Sequence, residues 1–543
     1  MKKLEKNAIK KSGTDLSRLG FALFFMIAVL TFSFLNNGGI PNNMFLAVAA
    51  LIGAYMAMNI GANDVANNVG PAVGSRALTM TTAIIIAAVF EAGGAIIAGG
   101  EVVQTIKSGI IDSSAFDGDS DHFIWAMMAA LLSAALWLNF ATMMRAPVST
   151  THSIVGGVMG AGIAAAGFSV VSWGTMGTIA ASWVISPILG GIVAAGFLYA
   201  IKKTIVFQED KIKAAKKYVP FYVAIMSWAF VTYLTLKGLK KIWTDILDIV
   251  NTIPFVSIES HPQPSFQTAV IMGLVVAVVV YFIVNYKLNK NNSTLDNTKK
   301  AVNRLFTIPL IFSAALLSFA HGANDVANAI GPLAAINDAI VHGGVSTQAS
   351  IPFWVMAVGG FGIALGLALY GPKLIKTVGS EITKLDQIRA FSIAMAASIT
   401  VIIASGLGLP VSSTHIAIGG VFGVGFLREW LDLRDANPTI KDDKLTIVDE
   451  KKNLNALQAA LKSIEAKENK VKEDYEQIVE LYKRIADEED IIKSTKKHMK
   501  KTKKVEYVKR DAIKKIIAAW LITVPAAAVL SALLFFMIKG IMI

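Results

Sequence analysis

From Leu19 onward the chain is a succession of apolar runs close to the thickness of a bilayer's hydrocarbon layer, broken by short polar loops and one long charged stretch. No other feature restricts its fold as much. A spanning helix needs about 20 mostly apolar residues, and lipid leaves every peptide group to be paired inside the chain, so helices of that length are the solution. Composition agrees: of 543 residues, 54% are hydrophobic and 16% charged, too apolar for a soluble domain. The formal charge of +13 would point to nucleic acid in a soluble protein. Here the lysines sit in loops beside spans, the mark of cytoplasm-facing segments, so no nucleic-acid partner is expected. The first run, 19–35, follows a leader containing Lys2, Lys3, Lys6, Lys10 and Lys11 and lacks a small-residue cleavage site. It reads as a retained span with the N-terminus inside. The absence of cysteine excludes thiol nucleophiles, disulfides and cysteine metal sites.

Two motifs occur twice. Gly61-Ala62-Asn63-Asp64-Val65-Ala66-Asn67 returns letter for letter as Gly322-Ala323-Asn324-Asp325-Val326-Ala327-Asn328, and Gly70-Pro71 returns as Gly331-Pro332. Pro147-Val148-Ser149-Thr150-Thr151-His152 pairs with Pro410-Val411-Ser412-Ser413-Thr414-His415. The interval from Asp64 to His152 is 88 positions and from Asp325 to His415 is 90, so the chain contains a duplicated unit. Crossings at 44–60, 80–98, 124–144, 148–168 and 176–201 carry the first copy from outside to a basic loop, and two linker spans, 221–236 and 269–286, lead to a second one. The second copy then starts from inside. The expected fold is an all-α polytopic membrane protein, an inverted-repeat secondary transporter with broken helices. Residues 1–43 hold the leader and an extra first span, 44–201 repeat 1, 202–304 the linker, 305–427 repeat 2, 428–512 a cytoplasmic charged insert, and 513–543 the last span. In the insert Leu454, Leu457, Leu461, Ile464, Val471, Tyr475, Ile478, Tyr482 and Ile485 form a coiled-coil seam broken at Glu468, about 50 Å long if helical throughout. It fits either a hairpin folded on itself or a surface for self-association or a cytoplasmic regulatory protein.

The repeated motifs carry the chemistry. A carboxylate at the bilayer centre costs at least about 2.5 to 3.5 kcal/mol, so matched Asn-Asp pairs at depth need a reason beyond helix capping. Glycine before and Gly-Pro after each pair predict that a helix stops near Ile60 or His321 and resumes near Val65 or Val326. Pro147 and Pro410 suit first turns of helices whose amide ends, with Ser149, Thr150, Thr151, Ser412, Ser413 and Thr414, attract an anion. His152 and His415 read as packing or hydroxyl-orienting residues. Arg76 and Arg145 read as interface residues. With no lysine or arginine in either motif, an anion beside Asp64 and Asp325 requires bound cations or protonated carboxylates, which makes the protein a symporter. Sodium suits Asn and Asp oxygens with exposed carbonyls. Phosphate keeps a proton near neutral pH and can donate to an aspartate, whereas sulfate cannot.

At these residues, over roughly 44–427 plus the last span, the chain resembles the inorganic phosphate transporter family, the Pit-type sodium- or proton-coupled symporters. The resemblance implies that Asn63, Asp64, Asn324 and Asp325 belong to the phosphate and cation sites. Asn67 and Asn328 are expected with them as cation ligands. It further implies that Ser149, Thr150, Thr151, Ser412, Ser413 and Thr414 cradle phosphate, and that Glu91 is functionally important, here expected with the cation ligands. A second glutamate of some members is absent, where this chain reads Phe391-Ser392-Ile393-Ala394. The expected function is cation-coupled symport of inorganic phosphate by a homodimer in the cytoplasmic membrane, with sodium or proton as coupling ion, no other cofactor and no enzymatic activity. Proton-driven phosphate, metal-phosphate or sulfate transport, and a scaffold or phosphate sensor acting through the insert, remain as alternatives.

Overall fold

Among the described residues, eleven helices are long and apolar enough to cross a membrane. The structure is a computed structural model and describes residues 2–116, 119–144, 146, 148–252, 263–290, 295–342, 351–380, 385–503, 507–508 and 510–542. In chain order the helices are α1 (Lys2–Asn36), α2 (Asn43–Asn63), α3 (Val65–Gly74), α4 (Met80–Ala98), α5 (Gly100–Ser108), α6 (Ser120–Met143), α7 (Thr150–Ala166) and α8 (Trp173–Ile201). Next come α9 (Lys211–Tyr233), α10 (Trp243–Val250), α11 (Phe266–Lys290), α12 (Lys299–Leu305), α13 (Thr307–His342), α14 (Phe353–Tyr370), α15 (Pro372–Ser380) and α16 (Gln387–Gly406). The chain ends with α17 (Ser413–Glu465), α18 (Lys472–Lys503) and α19 (Arg510–Met542). Two compact units result, residues 1–424 with 510–543, and residues 425–509.

In the larger unit the two copies make matching contacts. A Cβ on Gly94 of α4 would lie 2.0 Å from the Phe319 carbonyl oxygen of α13, and one on Gly366 of α14 would lie 1.9 Å from that of Met58 in α2. Small residues therefore let backbones touch, the usual device of helix packing in membranes. The closing helices are exchanged. Gly160 of α7 meets Ala528 of α19, and Gly423, near the start of α17, meets Gly191 of α8, so the last helix of each copy packs on the hydroxyl-bearing helix of the other. Gly322 faces Glu91 in the same way, its hypothetical Cβ only 2.2 Å from that residue's carbonyl oxygen. Gly322→Ala must push α13 from α4, so thermal unfolding in detergent is expected to show a loss of about 1 to 3 kcal/mol.

Two sequence expectations need correction. In the first copy the interruption at the Asn-Asp pair is Asp64 alone, still helical at φ −82° and ψ −37°. In the second, α13 runs unbroken through residues 322–328 and Pro332. No unwound backbone is needed, because side chains spaced three and four apart, such as those of residues 321, 324, 325 and 328, project from one face of an intact helix. Breaks fall instead at Gly99, between α4 and α5, and at Gly371, between α14 and α15. Residues 148–168 likewise form a shorter helix than the apolar run suggested, α7 over Thr150–Ala166. The Asp112 amide donates to the Val170 carbonyl and the Ser172 amide to that of Ile110, so the chain before α6 and the chain after α7 lie on the same face. Val148 and Ser149, which lead into α7, are buried, and Thr151 Oγ1 in the first turn of α7 donates to the Val411 carbonyl just before α17 (3.0 Å). The α6–α7 pair is thus a helical hairpin whose outer ends lie together, which leaves the direction of later spans unchanged.

A buried ion pair joins α5 to α13 away from the repeated motifs. Lys107 Nζ of α5 is 3.0 Å from Asp338 Oδ2 of α13, with side chains only 1% and 2% exposed. His342 adds a contact to the other Asp338 oxygen at 2.8 Å.

The smaller unit is the hairpin alternative for the insert. Tyr482 donates to Glu465 (2.9 Å), His498 pairs with Asp443 (3.0 Å) and the Tyr507 amide donates to Glu429 (2.8 Å), an antiparallel sequence of contacts. The turn spans Ala466 to Val471 rather than a break at Glu468 alone. Leu461 is buried in the seam with Ile440, Ile447 and Ile492, whereas Val471, Tyr475 and Tyr482 are exposed. Asp474 caps α18, and the Lys467 ammonium, then the Val471 amide, hold its carboxyl below the usual range. This contribution is complete above the unfolded-state pKa and is lost as pH falls through the folded one.

Candidate functional site

The tips of the two hairpins place the amide ends of α7 and α17 in the interior. Ser149 Oγ accepts from the His152 amide (3.1 Å) and Ser412 Oγ from the His415 amide (3.2 Å). These are matching N-caps. With both serines so engaged, the next hydroxyls meet the acids. Thr150 Oγ1 lies 2.8 Å from Asp64 Oδ2 and 3.1 Å from Asp325 Oδ2, and Ser413 Oγ donates to Asp325 Oδ2 at 3.2 Å. Carboxylates from both copies thus share one hydroxyl, whose single proton serves only one of them at a time.

The asparagines cross-link the copies. Asn67 Nδ2 donates to Thr414 Oγ1 (2.8 Å), and Asn328 Nδ2 to Thr150 Oγ1 (3.0 Å) and Thr151 Oγ1 (3.2 Å). Asn63 and Asn324 instead hold the tips. Asn63 Nδ2 donates to Thr142 Oγ1 (3.0 Å) and the Ala146 carbonyl (3.2 Å), and its oxygen accepts from the Val148 amide (3.3 Å). Asn324 sits between Ser405 Oγ (2.9 Å) and the Leu409 carbonyl (3.3 Å). Buried acceptors are left over. Asp64 Oδ1, Asn67 Oδ1 and Asn328 Oδ1 accept no hydrogen bond among the described residues. Buried oxygens without donors are costly, and a small hard cation satisfies them. Asp64, Asp325 and His321 each bring one ligand atom within 4.8 Å of the others.

These matched motifs lie inside a recognisable whole, since the model of the phosphate transporter family matches residues 60–531. The chain belongs to that family. It is 49% identical over 539 residues, 98% of this chain and 97% of the relative, to a candidate phosphate permease of Helicobacter pylori strain J99. A candidate phosphate permease of Pyrococcus abyssi is 38% identical over 384 residues, 71% of this chain and 89% of that protein. A solved structure described as the sodium-dependent phosphate transporter superposes with a TM-score of 0.70 at 30% identity, covering 92% of this chain and 99% of that one.

Within this family frame Asp64, Asp325, Thr150, Thr151, Ser413, Thr414, Asn67 and Asn328 converge on one buried centre. Glu91 stands behind it. Its Oε1 accepts from Asn68 Nδ2 and its Oε2 contacts His321 Nδ1, both at 2.7 Å, so both oxygens are taken before they reach Asp64. His152 and His415 pack edge to face with ring centres 4.4 Å apart, His152 against Trp183 and His415 against Trp520. Arg76 is exposed, and Arg145 and Pro147 lie outside the described residues. Sequence reasoning missed His321. Its ring bridges Glu91 and, through Nε2, Asp325 Oδ2 at 3.2 Å, which places a titratable base where the motifs offer no lysine or arginine. The second copy's Ile363 faces Gly61 as Glu91 faces Gly322, and Ile60 stands where the other copy has His321, so the bridge exists once.

Proposed function

We propose that this phosphate transporter family member is a sodium-coupled symporter that moves inorganic phosphate across the cytoplasmic membrane with its N-terminus inside. The observation that carries the proposal is the sharing of one Thr150 hydroxyl by Asp64 and Asp325 while neighbouring Asp and Asn oxygens lack donors. A dianion does not join two carboxylates in a low-dielectric chamber unless positive charge arrives with it. Cations on the Asp64, Asn67, Asn328 and Asp325 oxygens supply that charge, and the amide ends of α7 and α17 with Thr150, Thr151, Ser413 and Thr414 supply donors to phosphate. Sodium is named in the description of the 30% identical structural neighbour, and oxygen-only ligands suit it. His321 favours a second reading, proton coupling, because it links two carboxylates by 2.7 and 3.2 Å contacts. Phosphate uptake into proteoliposomes under separately imposed sodium and proton gradients decides between them. The sodium gradient alone is expected to drive accumulation. Accumulation under the proton gradient alone, unaffected by sodium, would overturn sodium coupling in favour of the His321 route.

A further inference from the structure

A cavity of about 450 Å³ lies beside the central site, between α1, α2, the end of α6 and the α14–α15 bend. Its inner wall includes Ala62 and Thr142, next to and hydrogen-bonded with Asn63 respectively, so one residue separates it from Asp64 along the chain. Its other polar lining comes from Arg18, Tyr55, Asn59, Asn139, Tyr370 and Lys373, with Asp15. Arg18 is 3.6 Å from Asp15, and Lys373 leaves the lining net positive. Its size lies within the range of about 300 to 1,000 Å³ typical of small-molecule sites.

The contribution of α1 is the informative part. This helix precedes the 60–531 stretch matched by the family model, yet it forms one wall of the cavity and brings a guanidinium, whose planar fork matches phosphate oxygens. Tyrosine hydroxyls add donors without charge. A stepping-stone for a departing anion would have this composition: cationic, part open, and lined by Thr142, the hydrogen-bond partner of Asn63.

We infer that this cavity is a second phosphate-group site, in which Arg18 and Lys373 receive the anion on the side where α1 begins. The inference rests on the symport reading for its direction of traffic. The same chemistry would also take the headgroup of an anionic phospholipid, since basic pockets between spanning helices hold such lipids.

The test uses full-length protein with Arg18→Gln and Lys373→Gln combined, reconstituted in phosphatidylcholine and in phosphatidylglycerol-containing vesicles, with inorganic phosphate as probe. For a free-phosphate site, maximal uptake in phosphatidylcholine falls about thirtyfold with both cations removed, while KM for external phosphate is unchanged. For a headgroup site, phosphatidylglycerol accelerates the unaltered protein and leaves the double variant indifferent. Arg18→Lys with Lys373→Arg should restore either effect. Uptake equal to that of the unaltered protein in both lipids, or a loss that the charge-conserving pair does not rescue, overturns the inference. Equilibrium phosphate binding at the central site, measured in parallel, must persist in the double variant. Its absence from the unaltered protein would instead count against the symport reading.

Discussion

Asp325→Asn is expected to abolish phosphate uptake in proteoliposomes, a loss of about two orders of magnitude or more, while the protein remains folded in the membrane. The carboxylate sits where Thr150, Ser413 and His321 converge, and a hydrogen bond to a charged group contributes about 1.5 to 3 kcal/mol. Asparagine keeps the shape and removes the charge that draws a cation. Asp64→Asn should match it, because the Asp64 carboxylate shares the Thr150 hydroxyl with Asp325 (2.8 and 3.1 Å). Uptake by both variants within a factor of two of the unaltered protein would show that neither acid holds transported charge.

Asp338→Ala should produce the largest loss of stability. It leaves the Lys107 ammonium, 1% exposed, without its 3.0 Å partner, and removing one member of a buried pair costs about 3 to 5 kcal/mol. Replacing both, with Lys107→Met and Asp338→Leu, should recover most of that, since a buried pair is often no better than apolar residues of similar volume. Thermal unfolding of the single and double variants in detergent measures the difference. A single variant as stable as the unaltered protein would mean that water reaches Lys107 despite its burial.

The repeated motifs made the centre legible before any coordinates. Asp64, Asp325, Thr150, Thr151, Ser413, Thr414, Asn67 and Asn328 come together because two copies of one unit must meet face to face for either to be complete. Their backbone was misread for a physical reason. Gly322 and Gly331-Pro332 look like helix breakers in isolation, yet Gly322 is there for close approach to Glu91, and the break of each copy was moved to Gly99 and Gly371. His321 escaped because identity between the copies begins one residue later, at Gly322. Its signal was present nonetheless, as an ionisable residue in an apolar run four positions before Asp325. Lys107 and Asp338 could not be paired from sequence. They lie far apart in the chain and belong to neither repeated motif, so only the packing of α5 on α13 joins them. The hairpin form of residues 425–509 was one of two readings of the same seam, and the turn after Glu465 decided it.

In the proposed symport the anion binds only in company with cations held by the two acids. Equilibrium binding of inorganic phosphate to the purified protein, with sodium and with choline replacing it, tests this most directly, because coupled ligands must each raise the other's affinity. The account predicts binding at least about tenfold tighter in sodium, and no sodium dependence in Asp64→Asn or Asp325→Asn. Equal phosphate affinity in sodium and choline, unchanged by either substitution, would contradict it.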